Sequence, residues 1–464
     1  MCSSGSCSTL IPVAIASKNT IITDGHILKA IGWLTAPMLV GAVLQNTQSL
    51  IDLFWVGGLG SKAVAAVAMS ATILMVLFPM LMGLSTGTIA LVARAVGAGN
   101  FDEASAVASQ SLMLAFVLGI LAGFIGWHFS DDFFRLLGAE PDIIPDGSAY
   151  LKISLLGGFT VFILFIANAA LQGAGDTVTP MWIMAVSNIL NIVLAPLFIF
   201  GLGPLPRMGV EGAAVATVIS QAVAAGVAVH ILLSGKTRLH IRPRQWKPDW
   251  KLSWRILRIG LPGSGQMFSR SLMSAVMMWI VASCGTAAVA AYGVGMRFHM
   301  IILMPAFALG GAAATMVGQN LGAGNPDRAH HAAWVSTWIG MAFMAVTAVI
   351  MVLFAPALIR VFNREPDVVH IGARYLQIVS PFYIFAALGI VLGRALNGAG
   401  DSLSPMVITI LSLWGLQVPL AIFLSCIWQP PTQGIWWAIV IAFVAQGLLI
   451  AGWFETGRWK HRRV

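Results

Sequence analysis

Charged side chains are scarce in this chain, and their scarcity excludes an ordinary soluble domain. Only 9% of the 464 residues are Asp, Glu, Lys or Arg, whereas a soluble domain carries about 25%. Hydrophobic residues make up 58% of the chain, which is more apolar surface than a soluble core can bury. The composition therefore indicates a polytopic membrane protein. The net charge of +9 does not indicate a nucleic-acid partner, because the basic residues cluster between apolar spans.

Cysteines and enzyme motifs are also few or absent. Cys2 and Cys7 lie in the N-terminal tail, and Cys284 and Cys426 lie in apolar stretches, so the four cysteines give no disulfide framework. The tail supplies no further metal ligands, and we expect no metal site. The chain lacks a nucleophile elbow, a phosphate-binding loop and a His-Glu-x-x-His motif. We therefore expect a protein without cofactors that is no enzyme and that uses an ion gradient rather than ATP.

What the chain does contain is a duplicated motif. Residues 170–181 read ALQGAGDTVTPM, and residues 395–406 read ALNGAGDSLSPM, an offset of 225 positions (395 − 170 = 225). The same offset relates GAGNFDEA at 97–104 to GAGNPDRA at 322–329. One offset across the apolar part of the chain indicates two half-molecules that contain the same helices in the same order.

The repeated motifs themselves have two interpretations. They could gate a pathway, or they could form tight turns in which glycine adopts a positive φ and Asp176 or Asp401 caps the next helix. We favour the turns.

The apolar stretches predict six membrane spans in each copy, since a span needs about 20 apolar residues. The candidates of the first copy are 28–55, 61–88, 104–128, 149–171, 180–201 and 210–233. Those of the second copy are 255–283, 287–313, 330–354, 373–396, 405–427 and 433–454. The chain is thereby divided into a disordered tail at 1–26, an N-lobe at 27–233, a basic linker at 234–254, a C-lobe at 255–454 and a basic tail at 455–464.

The distribution of charge predicts the orientation. The linker and the C-terminal tail are rich in Lys and Arg and belong on the cytoplasmic side. Twelve spans then place the N-terminus there too, and the first 26 residues show no cleavable signal peptide. A predicted loop at 129–147 is acidic, which suits the outer face. We expect a monomer in the cell inner (plasma) membrane.

Acidic residues are nearly absent from the predicted spans, and Asp52 is the exception. An ionisable group inside a membrane span is costly, and its default interpretation is a functional site. Such a carboxyl can take up and release a proton. The alternative is that Asp52 lies near the outer interface and is solvated.

Other polar residues accompany Asp52. Pro37 removes a backbone hydrogen bond and can bend the first span. Gln45 and Gln48 share a helical face with Asp52, and that face should look into a cavity. In span five, Asn188 and Asn191 are also three apart; such amides either line the cavity or tie helices together.

The second copy breaks the symmetry. The residue that corresponds to Asp52 is Met277, and the same span carries Gln266 and Arg270 as candidates for a C-lobe cavity. Arg270 is either satisfied by neighbouring helices or contacts an anion or substrate. Arg394 has a simpler interpretation as a side chain that snorkels to an interface.

The duplicated A-L-x-G-A-G-D-x-x-x-P motif, the G-A-G-N sequences and the run NILNIVLAPLFIFGLG at 188–203 resemble the multidrug and toxic-compound extrusion (MATE) family. The resemblance covers about residues 28–454. It implies an all-α membrane protein with twelve transmembrane helices in two pseudo-symmetric six-helix lobes around a V-shaped central cleft. It also implies export of mostly cationic, amphipathic compounds in exchange for H⁺ or Na⁺.

The resemblance carries over to individual residues only in part. Asp52 matches the first-helix aspartate that proton-coupled members use, and Pro37 matches the proline where that helix bends. Tyr150 and Asn191 match polar residues that line the N-lobe cavity. Ala195 stands where the family often has Asp, which leaves the proton relay open.

The second lobe lacks the acids of the Na⁺-using branch. Arg270 and Ala386 stand at those places. The resemblance therefore leans to the DinF-like, proton-coupled branch.

These observations lead to one hypothesis and three alternatives. The hypothesis is an antiporter that exports amphipathic, cationic small molecules, with H⁺ binding at Asp52 and the substrate in the N-lobe. The alternatives are a flippase for an anionic or lipid-linked substrate, a Na⁺-coupled drug exporter, and a membrane-bound enzyme.

Overall fold

The computed structural model describes residues 22–202, 206–235 and 237–462, and the regular secondary structure in these ranges is helical. Residues 1–21 of the predicted tail, including Cys2 and Cys7, lie outside the described residues. The first copy forms α1 (Ile27–Gly57), α2 (Ser61–Leu74), α3 (Phe78–Gly97), α4 (Phe101–Leu136), α5 (Ile144–Leu156), α6 (Gly158–Gly173), α7 (Val178–Phe200) and α8 (Val210–Ser234). The second forms α9 (Trp250–Ala282), α10 (Thr286–Gly322), α11 (Pro326–Phe362), α12 (Pro366–Val379), α13 (Tyr383–Gly398), α14 (Leu403–Ile410), a π-helical segment (Leu411–Gln417), α15 (Val418–Ile427) and α16 (Pro431–Glu455).

In this described part, ten helical stretches are long and apolar enough to cross a membrane, where α12 with α13 and α14 with α15 each count as one continuous stretch. Helices α5 and α6 meet at a 45° bend and form one more span. Helix α9 is 33 residues long but less apolar, because it carries Arg255, Arg258 and Arg270. With α9, the architecture has the twelve spans that the sequence predicts.

Several span boundaries differ from the prediction, and two of them change the interpretation. The span predicted at 61–88 is broken by a turn between α2 and α3, and α3 continues to Gly97. The predicted loop at 129–147 is wrong at its start, because α4 continues to Leu136. The carboxylate of Asp131 pairs with Lys152 on α5 at 3.0 Å.

The repeated motifs form the turns that the sequence predicts. Gly175 and Gly400 adopt φ angles of 85° and 86°, in the left-handed region that glycine tolerates. The carboxylate of Asp176 accepts hydrogen bonds from the backbone N–H of Thr179 at 3.0 Å and from its hydroxyl at 2.6 Å. Both GAGD motifs therefore start the next helix in the same way.

The two lobes meet along α3. The start of this helix is exposed at Phe78 and Met80, whereas the stretch from Gly83 to Gly97 is largely buried against α9 and α10. A Cβ at Gly83 would overlap Ser264 and the carbonyl of Gly260. The lobes thus touch at the end that carries the GAGN and GAGD turns, and they enclose the V-shaped central cleft.

Candidate functional site

A central cavity lies between the lobes. Its volume is about 250 Å³, and its walls come from α1, α3, α6 and α7 of the N-lobe and from α9, α10 and α13 of the C-lobe. Methionine and phenylalanine side chains supply much of the apolar wall. The polar and charged side chains of the wall are Gln45, Ser85, Thr86, Asn168, Gln172, Thr177, Gln266, Arg270, Arg394 and Asn397. This composition suits an amphipathic ligand.

The C-lobe wall of this central cavity is positively charged. Arg270 of α9 and Arg394 of α13 both line it, and their guanidinium groups are close enough to repel each other. The Cζ atom of Arg394 lies 5.0 Å from the ring centroid of Phe307. The snorkelling interpretation of Arg394 is therefore wrong, because its side chain points into the protein and not to an interface.

Gln266, one turn before Arg270, is fixed by its neighbours. Its Nε2 donates to the hydroxyl of Thr409 at 3.0 Å, and Nε2 of Gln446 donates to the same hydroxyl at 2.9 Å. These bonds join α9, α14 and α16 behind the cavity wall. They hold the helix that presents Arg270.

Asp52 lies in a separate pocket inside the N-lobe. Its side chain is next to Asn191 of α7, Thr217 of α8 and Tyr150 of α5. Nδ2 of Asn191 donates to the hydroxyl of Thr217 at 3.0 Å. Among the described residues, the buried Oδ1 of Asp52 meets no hydrogen-bond donor. Asp52 therefore has a polar, mostly buried environment, and it does not line the central cavity.

The remaining predicted residues divide between these places. Pro37, Gln45, Gln266 and Arg270 line the central cavity, while Tyr150 and Asn191 lie beside Asp52. Nδ2 of Asn188 donates to the Leu44 carbonyl at 2.6 Å and ties α7 to α1. Gln48 is buried but does not line the cavity. The residues predicted to form one N-lobe cluster thus belong to two separate sites, and helix α1 contributes to both.

Pro37 links α1 to the GAGD turn. A proline at position 37 leaves the carbonyl of Trp33 without its usual helical donor. The hydroxyl of Thr177, next to Asp176, donates to that carbonyl at 3.4 Å. The turn between α6 and α7 therefore contacts α1 at the position where it is weakest.

The sequence assigned no role to two further sets of residues. Thr217 is an ordinary threonine in an apolar helix and gives no sequence signal. In the C-lobe, Nδ1 of His299 lies 3.2 Å from the hydroxyl of Tyr383, and its ring stacks on Phe443 with centroids 5.8 Å apart. His299 is also close enough to Arg270 for an electrostatic interaction between the two side chains. The sequence does show one sign of this pair, because His299 is an ionisable residue within a predicted span.

A two-lobed bundle of twelve spans, with a cavity between the lobes and a carboxyl pocket inside one of them, defines a secondary transporter. The MatE family model matches residues 37–197 and 262–423. The chain belongs to this family, the MATE multidrug transporters, and it is no enzyme.

Individual relatives agree with this assignment. The chain is 30% identical to the probable multidrug resistance protein NorM of Thermotoga maritima, over 93% of each chain. It is 32% identical to the probable multidrug resistance protein YpnP of Bacillus subtilis, over 94% of this chain and 97% of that one. A FAD transporter of Shewanella oneidensis is 30% identical, over 84% of this chain and 86% of that one. The outward-facing structure of a multidrug resistance MATE transporter superposes with a TM-score of 0.86 at 27% identity, covering 95% of this chain and 97% of that one.

Proposed function

We propose that this transporter exports amphipathic small molecules across the plasma membrane in exchange for H⁺. The observation that supports H⁺ coupling is the pocket of Asp52, where a carboxyl lies beside Asn191, Thr217 and Tyr150. An ionised carboxylate only accepts hydrogen bonds, whereas a protonated one also donates. Proton uptake therefore changes which of these neighbours Asp52 can bind, and it removes a costly charge from the lobe.

Helix α1 connects this pocket to the cargo. Pro37 and Gln45 of α1 line the central cavity. Asp52 lies about 10 Å beyond Gln45 along the same helix. A shift of α1 on protonation thus moves one wall of the cavity. Pro37 gives the helix a place to bend, and the two lobes then rock about their contact along α3.

Coupling to Na⁺ is the less favoured alternative. A Na⁺ ion in the C-lobe would meet the charges of Arg270 and Arg394 rather than carboxylates. The names of the relatives include both multidrug and FAD cargo, so family membership leaves the cargo open. By the positive-inside rule, we place the basic linker and both termini in the cytoplasm. The lobes then touch on the cytoplasmic side, and the cleft opens outward.

The test is transport by the Asp52→Asn variant in proteoliposomes. We expect an imposed pH gradient to drive efflux of a fluorescent cargo in the wild type and not in the variant. Asp132→Asn is the matched control, because Asp132 is an exposed acid at the end of α4, 3.6 Å from Arg135. Gradient-driven efflux that persists in Asp52→Asn, or that requires an imposed Na⁺ gradient in the wild type, would refute H⁺ coupling at this residue.

A further inference from the structure

We propose that the central cavity binds an anionic group of the exported molecule, a phosphate or a carboxylate, between Arg270 and Arg394. This inference rests on the proposed export function and adds the charge of the cargo. It replaces the cationic cargo that the family resemblance implies with an anionic one.

The first argument is the charge of the wall. The described residues that line the cavity include two arginines and neither Asp nor Glu. Arg270 and Arg394 also form no ion pair with any carboxylate in the described ranges. Two adjacent guanidinium groups in a membrane protein, without a counter-ion, are costly. An anion bound between them would offset that cost.

The second argument is the hydrogen-bonding capacity that the arginines retain. Nε of Arg394 is buried and meets no acceptor among the described residues. The guanidinium lies against the ring of Phe307, which fixes its plane. A guanidinium presents a planar fork of donors that matches the oxygens of a phosphate or carboxylate.

The third argument is the separation of the charges. The carboxyl of Asp52 lies in its own pocket within the N-lobe and does not line the cavity. The proton site therefore does not neutralise the arginines. A cationic cargo would meet two like charges and no opposite charge in this wall, which is unfavourable at short range.

The methionines of the N-lobe wall indicate what the rest of the cargo molecule is like. Met38 of α1 and Met181 and Met184 of α7 face the cavity opposite the arginines. Flexible thioether side chains accept apolar groups of varied shape. The expected cargo is thus amphipathic, with an apolar or aromatic body and an anionic end.

A pair of flavins that differ by one phosphate tests the proposal. We would measure binding of flavin mononucleotide and riboflavin to the full chain in phosphatidylcholine nanodiscs, without any gradient. The wild type should bind flavin mononucleotide at least tenfold more tightly, and the Arg270→Gln/Arg394→Gln double variant should bind the two alike. Rhodamine 123, a cation, should bind more weakly than flavin mononucleotide to the wild type and gain affinity in the double variant.

Two further variants serve as controls. Arg297→Gln removes an exposed arginine of α10 whose Cζ lies 5.8 Å from the ring of Phe362, and it should keep the phosphate preference. Arg270→Lys/Arg394→Lys keeps both charges and should keep most of the preference, which provides a test if the double Gln variant does not fold. Equal affinity for the two flavins in the wild type, or a preference that survives in the double Gln variant, would overturn the proposal.

The remaining measurements distinguish a soluble anion from a lipid headgroup as the ligand of the two arginines. Loss of flavin mononucleotide binding in nanodiscs with phosphatidylglycerol would assign the site to a lipid headgroup and overturn the assignment to cargo. Competition by millimolar inorganic phosphate, without competition by phosphatidylglycerol, would support a site for soluble anions. Flavin binding is measured without a gradient, whereas H⁺ coupling is measured as gradient-driven efflux, so a failure of H⁺ coupling and a failure of the anion site give different results.

Discussion

Met277 occupies in the C-lobe the position that Asp52 occupies in the N-lobe (277 − 52 = 225). Met277 is buried in an aromatic core with Tyr375 and Trp436. Tyr375 is itself the counterpart of Tyr150, the tyrosine beside Asp52 (375 − 150 = 225). The corresponding tyrosines therefore border an acid in one lobe and share a hydrophobic core with a methionine in the other.

The other members of the Asp52 pocket change in the same way. The counterparts of Asn191 and Thr217 at the same offset are Leu416 and Ala442. The C-lobe positions that correspond to Asp52, Asn191 and Thr217 thus all carry apolar residues. This asymmetry supports the proposal that the proton binds in the N-lobe.

Replacing Asn191 by its counterpart, Asn191→Leu, should reduce pH-driven efflux by roughly tenfold or more. The change removes the amide beside the Asp52 carboxyl, and a buried polar group left without a partner costs about 1–3 kcal/mol. Thr217→Val should have a similar effect, since it removes the hydroxyl that Asn191 binds. Thr347→Val is the matched control: Thr347 is exposed, and its hydroxyl also donates to a carbonyl of its own helix, that of Phe343. Initial rates in proteoliposomes provide the measurement, and equal rates for all three variants would contradict the role of the pocket.

Pro37→Ala should stabilise the protein and slow transport. Alanine restores the backbone N–H that donates to the carbonyl of Trp33. In the wild type, the hydroxyl of Thr177 donates to this carbonyl instead. Helix interiors favour alanine over proline by about 3 kcal/mol, so we expect a higher Tm. A stiffer α1 should lower the rate of efflux. Pro356→Ala in α11, outside the central cavity, should leave the rate unaltered; an unaltered rate in Pro37→Ala would rule out the hinge.

The contact between the lobes should tolerate no side chain at Gly87. A Cβ there would overlap the carbonyl of Ile256 on α9, and backbone at a packed interface yields little. Gly87→Ala should therefore lower stability by about 1–3 kcal/mol, measured as a lower Tm in detergent. Gly226→Ala in α8 meets open space and should raise stability slightly, by about 0.5–1 kcal/mol. Equal Tm changes in the two variants would show that the lobes do not pack closely along α3.

The C-terminal segment should stabilise the second GAGD turn. Arg462 forms an ion pair with the carboxylate of Asp401, whose side chain is only 2% exposed. Trp453 Nε1 donates to the same carboxylate at 3.1 Å. Arg462→Gln leaves a buried charge without its cation and should lower the Tm, corresponding to roughly 1–3 kcal/mol.

A double-mutant cycle checks this interaction. In the Arg462→Gln background, Asp401→Asn should lower the free energy of unfolding by less than it does in the wild type, because it removes a charge that is already unpaired. Arg458→Gln is the control, since Arg458 contacts the ring of Trp453 and forms no ion pair within the described residues. Additive effects of Arg462→Gln and Asp401→Asn would show that the pair is not coupled.

The sequence alone determined the architecture of this protein. The scarcity of charge indicated a membrane protein, because lipid accepts few charged side chains, and the offset of 225 residues indicated two equivalent lobes. The turns at Gly175 and Gly400 followed from local chemistry, since glycine accepts a positive φ and aspartate caps a helix. Asp52 was singled out as an acid in an apolar span. These features depend on composition and on neighbours in sequence, which can be read without coordinates.

Only the tertiary structure decided how the polar residues are grouped. Gln45 and Asp52 lie on one helix, but Gln45 faces the cavity between the lobes and Asp52 faces the interior of one lobe. Arg270 and Arg394 are 124 positions apart (394 − 270 = 124), yet they line the same wall. Such groupings depend on how helices pack and cross, and packing brings together residues that no local pattern in the sequence connects.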